Sequence, residues 1–434
     1  MPMQSPPSNR FGPLWLAPGV TRLNVMANFY ASFVVIGMLT GMSFLGGYIL
    51  TEHLHIPQQQ QGGITGDLGF WVEVVIMLLV NPFGILSDRI GRRTVLIIGI
   101  LFIGLGYALY PFATSVPELL FYRCIFGVGA AATASMIAAL MNDYPAEQSR
   151  GKMIGFSSLM NVLGVMFIAL GLGQLPPILQ AQGMDAITAG RTVFILAAIL
   201  CLVSVVFFRA GLKAGTPVSV QDRASVRVLL GSGIRAILNP RIALSYASAF
   251  TARADVVIKG LFLSLWAIHD GHEWGLSPGE AMARFGLVLG IMQAIGVVWQ
   301  PIFGWLMDRV NRVTAVIIAL VFASTGYLSM GLITSPLDFA MLPAFAILTI
   351  GTSSAMMAST ALIGQEAPVS ERGAIIAMNG LFGSFGIMVF TKGGGIWFDS
   401  IGPWAPFVII GVVQIVLLLA AVLVRVVAPG GASD

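Results

Sequence analysis

The sequence predicts an all-α membrane protein, with twelve spanning helices arranged as two similar six-helix bundles. Three observations predict it. Hydrophobic residues make up 57% of the 434-residue chain and charged residues 10%, where a soluble domain carries roughly 25% charge. Apolar runs of about 20 residues, long enough to cross a ~30 Å hydrocarbon core, recur along the whole length. A polar turn between two such runs, Gly84 to Arg93, has a weaker copy at Gly304 to Arg312.

In chain order the runs fall near 23–50, 67–88, 94–113, 117–142, 152–174, 191–209, 241–267, 280–308, 313–332, 338–362, 373–398 and 404–427. Breaks come at Pro111, Pro145, Pro176-Pro177, Pro336 and Pro403, as expected where helices stop. The reading divides the chain into a cytoplasmic tail (1–22), an N-terminal bundle (23–209), a cytoplasmic linker (210–240), a C-terminal bundle (241–427) and a short cytoplasmic tail (428–434). Met1 to Val20 is rich in Pro and Ser and lacks a cleavable signal, so the first span is expected to serve as the targeting signal. Cys124 and Cys201 both lie in apolar runs, which gives no disulfide framework.

Orientation follows from Lys and Arg. With both termini inside, the inner segments hold Arg89, Arg92, Arg93, Arg150, Lys152, Arg209, Lys213, Arg223, Arg227, Arg235, Arg309, Arg312 and Arg372, while the outer loops hold only Arg191 among bases. That bias sets the topology and places the chain in a cell (inner or plasma) membrane. The net charge of +4 reports loop placement rather than affinity for nucleic acid. In the linker, Val226, Leu229, Leu230, Ile234 and Leu238 recur at helical spacing with Arg223, Arg227 and Arg235 off the stripe. A helix lying on the inner leaflet and a plain basic linker both account for this.

The repeat extends past the turn. Pro145-Ala-Glu-Gln-Ser-Arg150-Gly151 precedes the fifth span and Pro368-Val-Ser-Glu-Arg372-Gly373 the eleventh; Gly164-Val165-Met166 then corresponds to Gly386-Ile387-Met388. Parallel repeats of this kind suit a transporter with its site near the midplane.

Here the residues become specific. Gly84 to Leu96 resembles the signature of the major facilitator superfamily of secondary transporters between its second and third helices. Leu119, Arg123, Gly127, Ala130 and Ala131 are similar to the family's fourth-helix pattern, with Phe126 where glutamine is usual. The fifth span has Gly155 and Gly164 but Ile168-Ala169 where the antiporters of the family have Gly-Pro, which weakens a drug–proton antiport reading. The resemblance implies alternating access between two halves. It also implies a conformational gate at Gly84, Asp88, Arg89, Gly91, Arg92 and Arg93, repeated at Gly304, Asp308, Arg309 and Arg312. In the family Asp88 faces the start of the eleventh helix in one state, where a helix dipole stabilises a carboxylate by roughly 0.3–1 kcal/mol. Arg92 and Arg93 are expected to pair with Asp143 and Glu147. Asn311 replaces a glycine, so the second latch is expected to be weaker. The alternative is that these residues only cap helices and satisfy the inner-side bias.

Charges at lipid depth are the informative residues, because each costs roughly 2.5–3.5 kcal/mol unless it pairs or meets water. The candidates for substrate or coupling are Glu73, Arg123, Arg253, Asp255, Lys259, Arg284 and Lys392. Asp255 and Lys259 are four apart, in the order that favours a local ion pair. Arg253 faces elsewhere; the resemblance implies that the seventh helix lines the cavity, which makes Arg253 the first choice for a substrate contact. Glu73 and Lys392 are expected to lie at one depth; the resemblance implies that the second and eleventh helices are neighbours, so the two are expected to pair when the outer side closes, with Arg123 as the other partner for Glu73. In the family the fourth-helix arginine tunes a nearby acid. The excess of bases leans toward an anionic or carboxylate-bearing solute. The triple glycine Gly393-Gly394-Gly395 suggests a hinge. His53, His55, His269 and His272 lack a convincing ligand set, so no metal is assigned. No cofactor, nucleophile–base arrangement or phosphate loop is read, so an enzyme is not expected.

The leading expectation is therefore secondary transport of a small solute, proton-coupled, by symport, with the lipid bilayer as surroundings and the monomer as functional unit. The alternatives are multidrug or amphipathic-compound efflux, a non-transporting receptor or assembly factor on the same fold, and a metal ion transporter.

Overall fold

The computed structural model describes residues 10–215, 226–368 and 371–429. The helices are α1 (Arg22–Tyr48), α2 (Gln58–Ile90), α3 (Arg92–Leu109), α4 (Val116–Asp143), α5 (Arg150–Leu170), the short α6 (Leu175–Ala181), α7 (Ala186–Gly211), α8 (Val226–Arg235), α9 (Pro240–Ile258), α10 (Ser264–Gly271), α11 (Pro278–Met307), α12 (Arg312–Ser329), α13 (Leu342–Glu366), α14 (Arg372–Ser400) and α15 (Ala405–Val427). Eleven stretches among the described residues are long and apolar enough to cross a membrane. The twelfth expected span is also helical throughout: α9 passes through a π turn, Lys259–Leu263, into α10. Its charges at Arg253, Asp255 and Lys259 lower its apolarity. Polar residues cap several of these helices as the sequence requires. The Asp185 carboxylate accepts the Thr188 N–H of α7 at 2.9 Å, and Ser277 and Glu280 form a capping box on α11. Pro82 and Pro301 sit inside α2 and α11, which spanning helices tolerate.

The boundaries differ from expectation where polar residues belong to helices. α2 begins nine residues before Asp67, because Gln58 to Gly66 continues the helix. Residues 10–15 form a small antiparallel hairpin, with Arg10 opposite Trp15. Leu16 then bridges to Pro145, and the Ala17 N–H donates to the Tyr144 carbonyl at 2.9 Å. Burial pushes the Tyr144 hydroxyl up to about 12.

By packing, the chain forms two compact units, 1–42 with 74–221, and 43–73 with 222–434. In the first, α3 packs on α4 and α7. In the second, α12 packs on α13 and α15, and α9 on α14 and α13. The core of that unit includes Phe303, Leu320 and Leu362. The two units repeat one packing device. A side chain at Gly164 would run into the Phe33 carbonyl, and one at Gly386 into the Phe250 carbonyl, so the corresponding glycines bring helix backbones together in each unit.

α8 docks on α14 through a small face. The Tyr246 hydroxyl donates to the Gly233 carbonyl at 3.2 Å, and Met378 covers Gly233. Ile234 and Leu238, from the expected stripe, are 58% and 84% exposed. Arg223, Val369 and Ser370 lie outside the described residues, as do the side chains of Val226, Arg227, Leu229 and Leu230.

Candidate functional site

Three depths of α2, α9 and α14 carry charges in the second unit. Nearest the Gln58 end of α2, Asp399 accepts the N–H groups of Gly62 and Gly63 at 2.8 and 2.6 Å. Next, the Lys392 ammonium pairs with Asp67. Deeper still, Glu73, 7% exposed, lies within hydrogen-bonding reach of the Ser384 hydroxyl and in the field of Arg253. The expected Glu73–Lys392 pair is therefore corrected to Asp67–Lys392. Lys392 is eight residues from the end of α14, about 12 Å at 1.5 Å per residue. Because α2 starts at Gln58, Asp67 lies at the matching depth and Glu73 about 9 Å further in.

Arg253 is exposed in the middle of a spanning segment. Its aliphatic stem lies against Gly383, and its guanidinium donates to the Gly380 carbonyl at 3.4 Å. The small residues of α14 make room for this long side chain.

Asp255 is 1% exposed. Its Oδ1 accepts from the Tyr327 hydroxyl at 2.6 Å, and its Oδ2 accepts from Gln414 Nε2 at 3.5 Å. Lys259 donates instead to the Thr352 hydroxyl at 2.6 Å. The expected Asp255–Lys259 contact pair is thus replaced by two neighbouring charges, each held by a polar group of another helix. Lys259 opens the π turn, where the helix departs from the regular spacing on which that pairing was reasoned.

Arg284 is placed near the start of α11, apart from these charges. It donates to the Leu337 carbonyl at 2.8 Å and sits over the rings of Trp274 (4.6 Å) and Phe339 (5.3 Å). Six residues from the start of α11, it reaches the loop at that end. The bases left at depth in this unit are Arg253, Lys259 and Lys392, and the acids beside them are Glu73, Asp255 and Asp67. The excess of positive charge expected from the sequence disappears.

In the first unit Arg123 is 3% exposed, with its guanidinium 5.1 Å from the centre of the Phe126 ring. Tyr107 and Tyr110 are its electrostatic neighbours, and Phe194 packs against both. The ring at 126, in the place of glutamine, meets the guanidinium as a cation–π partner.

The turn after α2 is an ionic knot. Arg92 bridges Asp88 and Asp143, both at 3.1 Å, and donates to the Ser87 hydroxyl at 2.6 Å. Arg93 reaches the Arg209 carbonyl at 3.0 Å rather than Glu147, which is taken by Arg150 three residues on. Arg89 is exposed. Gly91 has φ +92°, and a side chain there would strike the Gly215 carbonyl. A side chain at Gly84 would meet nothing within 4 Å, and one at Gly304 only the tip of Met357. In the second copy Arg312 is 3.5 Å from Asp308 and donates to the Met307 carbonyl, and Arg309 stacks over Trp305 at 3.5 Å. Asn311 is an ordinary cap, accepting the Val313 N–H at 2.9 Å.

The family model for the Major Facilitator Superfamily matches residues 23–391 and 259–433. The chain belongs to that superfamily. Among relatives, magnetosome protein MamH of Paramagnetospirillum magneticum is 27% identical over 89% of this chain and 89% of its own length. Multidrug resistance protein 2 of Bacillus subtilis is 26% identical over 90% and 92%. Magnetosome protein MamZ of Magnetospirillum gryphiswaldense is 25% identical over 97% of this chain, which spans 64% of that longer protein. The crystal structure of the nucleoside transporter NupG superposes with a TM-score of 0.70 at 13% identity, over 93% of this chain and 99% of that one; at that identity the likeness is one of fold.

Within this superfamily fold, sequence reasoning missed Asp67, Tyr327, Thr352, Ser384 and Gln414. Gln414 left a signal, since it is the lone amide in the apolar run of α15. Asp67 was hidden by the misplaced start of α2. The hydroxyls left none, because Ser, Thr and Tyr are common in helix packing. The triple glycine is not a break either: α14 runs through it, Phe262 packs on Gly394, and the backbone of Gly62 approaches Gly395. His269 Nε2–H donates to Gln61 Oε1 at 3.0 Å, and no three metal-type side chains gather among the described residues.

Proposed function

We propose that this chain is a proton-coupled secondary transporter of a small solute, working by alternating access. It would sit in a cell inner membrane with both termini cytoplasmic and act as a monomer. The observation that carries the reading is Asp255, a carboxyl buried at the middle of a spanning helix between Tyr327, Gln414 and Lys259. Such a group is costly in lipid and is retained where protons or ions move. Arg253, exposed at the same depth with Glu73 in its field, is the contact for solute. The balance of three bases against three acids favours a neutral or zwitterionic, carboxylate-bearing solute over a polyanion. The Arg92–Asp88–Asp143 knot is the gate, made and broken with the change of state.

Multidrug efflux is the second reading. Its support is the Bacillus subtilis relative and an apolar hollow of the second unit lined by Ala294, Ile295, Val298, Trp299 and Ile350. The magnetosome relatives raise an intracellular organelle as the membrane; a fluorescent fusion imaged in cells distinguishes the two locations.

The test is reconstitution into liposomes with an entrapped pH-sensitive dye. Amino acids, mono- and dicarboxylates, nucleosides, metal ions and lipophilic cations are added in turn. A solute that moves protons inward with itself, and does so less in Asp255→Asn, supports the reading. Solute uptake without proton movement, unchanged by that substitution, overturns it.

A further inference from the structure

We propose that Gln414 and Tyr327 are positioning residues for proton exchange at Asp255, with the Gln414 amide serving both protonation states of the carboxyl. The inference rests on the reading of Asp255 as the proton-carrying group. The two residues come from different helices, α15 and α12, and both are fully buried. Tyr327 donates to one carboxyl oxygen at 2.6 Å and Gln414 Nε2 faces the other at 3.5 Å. The second amide atom, Gln414 Oε1, is buried without a hydrogen-bond partner among the described residues. A buried amide oxygen left unmatched is a net cost to folding, and a spanning helix gains nothing from it as packing.

The geometry gives that atom a use. When Asp255 is ionised, the amide N–H donates to Oδ2 and the amide oxygen is idle. When Oδ2 takes a proton it becomes an O–H donor, and a half-turn of the amide presents Oε1 as its acceptor. One bond, O–H, forms on Asp255; the proton is delivered from and returned to water, and no heavy-atom bond changes. Leucine at 414 offers neither partner, and methionine no donor and only a weak sulfur acceptor. The titratable groups that face Asp255 are Lys259, one turn along α9 and held by Thr352 of α13, and the phenol of Tyr327 on α12. α15 contributes the neutral amide. α14 meets α9 at Gly383 and Gly386, beside Arg253 and Phe250.

Infrared difference spectroscopy of the purified, membrane-reconstituted protein, titrated with acid and without any solute, tests this. Asp255→Asn should delete one carboxylic C=O band. Gln414→Met should keep that band, move it to higher frequency through the lost hydrogen bond, and shift its titration midpoint by about one pH unit, a tenfold change in proton affinity. In the Asp255→Asn background Gln414→Met should change nothing further. Tyr327→Phe provides the same measurement on the other oxygen should Gln414→Met not fold. A band that survives in Asp255→Asn removes the underlying reading of Asp255. A band deleted by Asp255→Asn but unmoved in frequency and midpoint by Gln414→Met and Tyr327→Phe overturns the role of the amide and the phenol alone.

Discussion

The buried charge of the first unit and those of the second have opposite surroundings. Arg123 is walled by Phe126, Tyr107 and Tyr110, with Phe194 behind the tyrosines. The Tyr107 hydroxyl is committed to the Met38 carbonyl at 2.7 Å. Asp255, Lys259 and Glu73 instead meet a phenol, an amide and two serine or threonine hydroxyls. Aromatic faces stabilise a cation that stays a cation. Groups that both donate and accept can follow a change of protonation. The two units share their glycine packing at Gly164 and Gly386, so the repeat conserves the frame while the surroundings of its buried charges differ.

The largest test of that contrast is Asp255→Asn. It keeps the shape and one acceptor oxygen but removes the proton site, and solute-driven proton movement should fall by about 100-fold, the scale of losing a positioned acid–base group. Arg123→Lys, read in the same dye assay, should leave the pH dependence in place. A pH profile moved equally by both would dissolve the distinction. Next in size is Arg253→Ala. Loss of a charged hydrogen bond to solute costs about 1.5–3 kcal/mol, so KM should rise at least ~10-fold with kcat changed less. Arg253→Lys should recover part of it. The sensitive measurement is the ratio of the two constants for whichever solute the liposome panel selects.

How much of this was legible in the chain follows from what each interaction leaves in the sequence. Helix count, loop motifs and the Asp88–Arg92 turn are local, and they emerged from composition and spacing. Glu73 and Arg253 stood out as charges in apolar runs and do share a neighbourhood. Their partners did not stand out, because Ser384 is one serine among many and Asp67 was read as the end of a span. The partners of Arg284 were hidden for a different reason: an arginine near a helix start reaches a loop carbonyl and two rings that no periodicity reveals.

Below these effects come the two turns. Gly91→Ala places a side chain at φ +92° against the Gly215 carbonyl, in a region nearly confined to glycine, at a cost of about 1–3 kcal/mol. Asn311→Gly removes a cap whose loss to glycine costs only a few tenths of a kcal/mol, on the order of 0.3. The melting temperature in detergent should therefore fall clearly for the first and barely for the second. Equal falls would mean that the two copies of the motif carry the same load, which the one-residue difference between Gly91 and Asn311 argues against. Phe126→Leu should cost about 0.5–2 kcal/mol through the lost cation–π contact with no change in the pH profile, keeping the Arg123 site on the packing side of the comparison.

A modest effect, comparable with that of the turns, is expected at Asp67 and Lys392. Their side chains are 41% and 49% exposed, and pairs so open to water contribute about 0.2–1 kcal/mol. Asp67→Lys alone sets two ammonium groups together and Lys392→Asp sets two carboxylates together; each should slow transport severalfold if the pair forms during the cycle. The exchange of both, Asp67→Lys with Lys392→Asp, restores opposite charges at the same depth and should recover most of the rate at low ionic strength. Raising salt should shrink all three differences, because exposed charges are screened over about 10 Å at 0.1 M. Glu73→Lys provides the control: with Lys392→Glu it should give no such rescue, since Glu73 sits beside Ser384 and Arg253 and lies about 9 Å deeper than Asp67. Rescue by the Glu73 exchange and not by the Asp67 exchange would move the outer ion pair back to the partner that the sequence alone suggested.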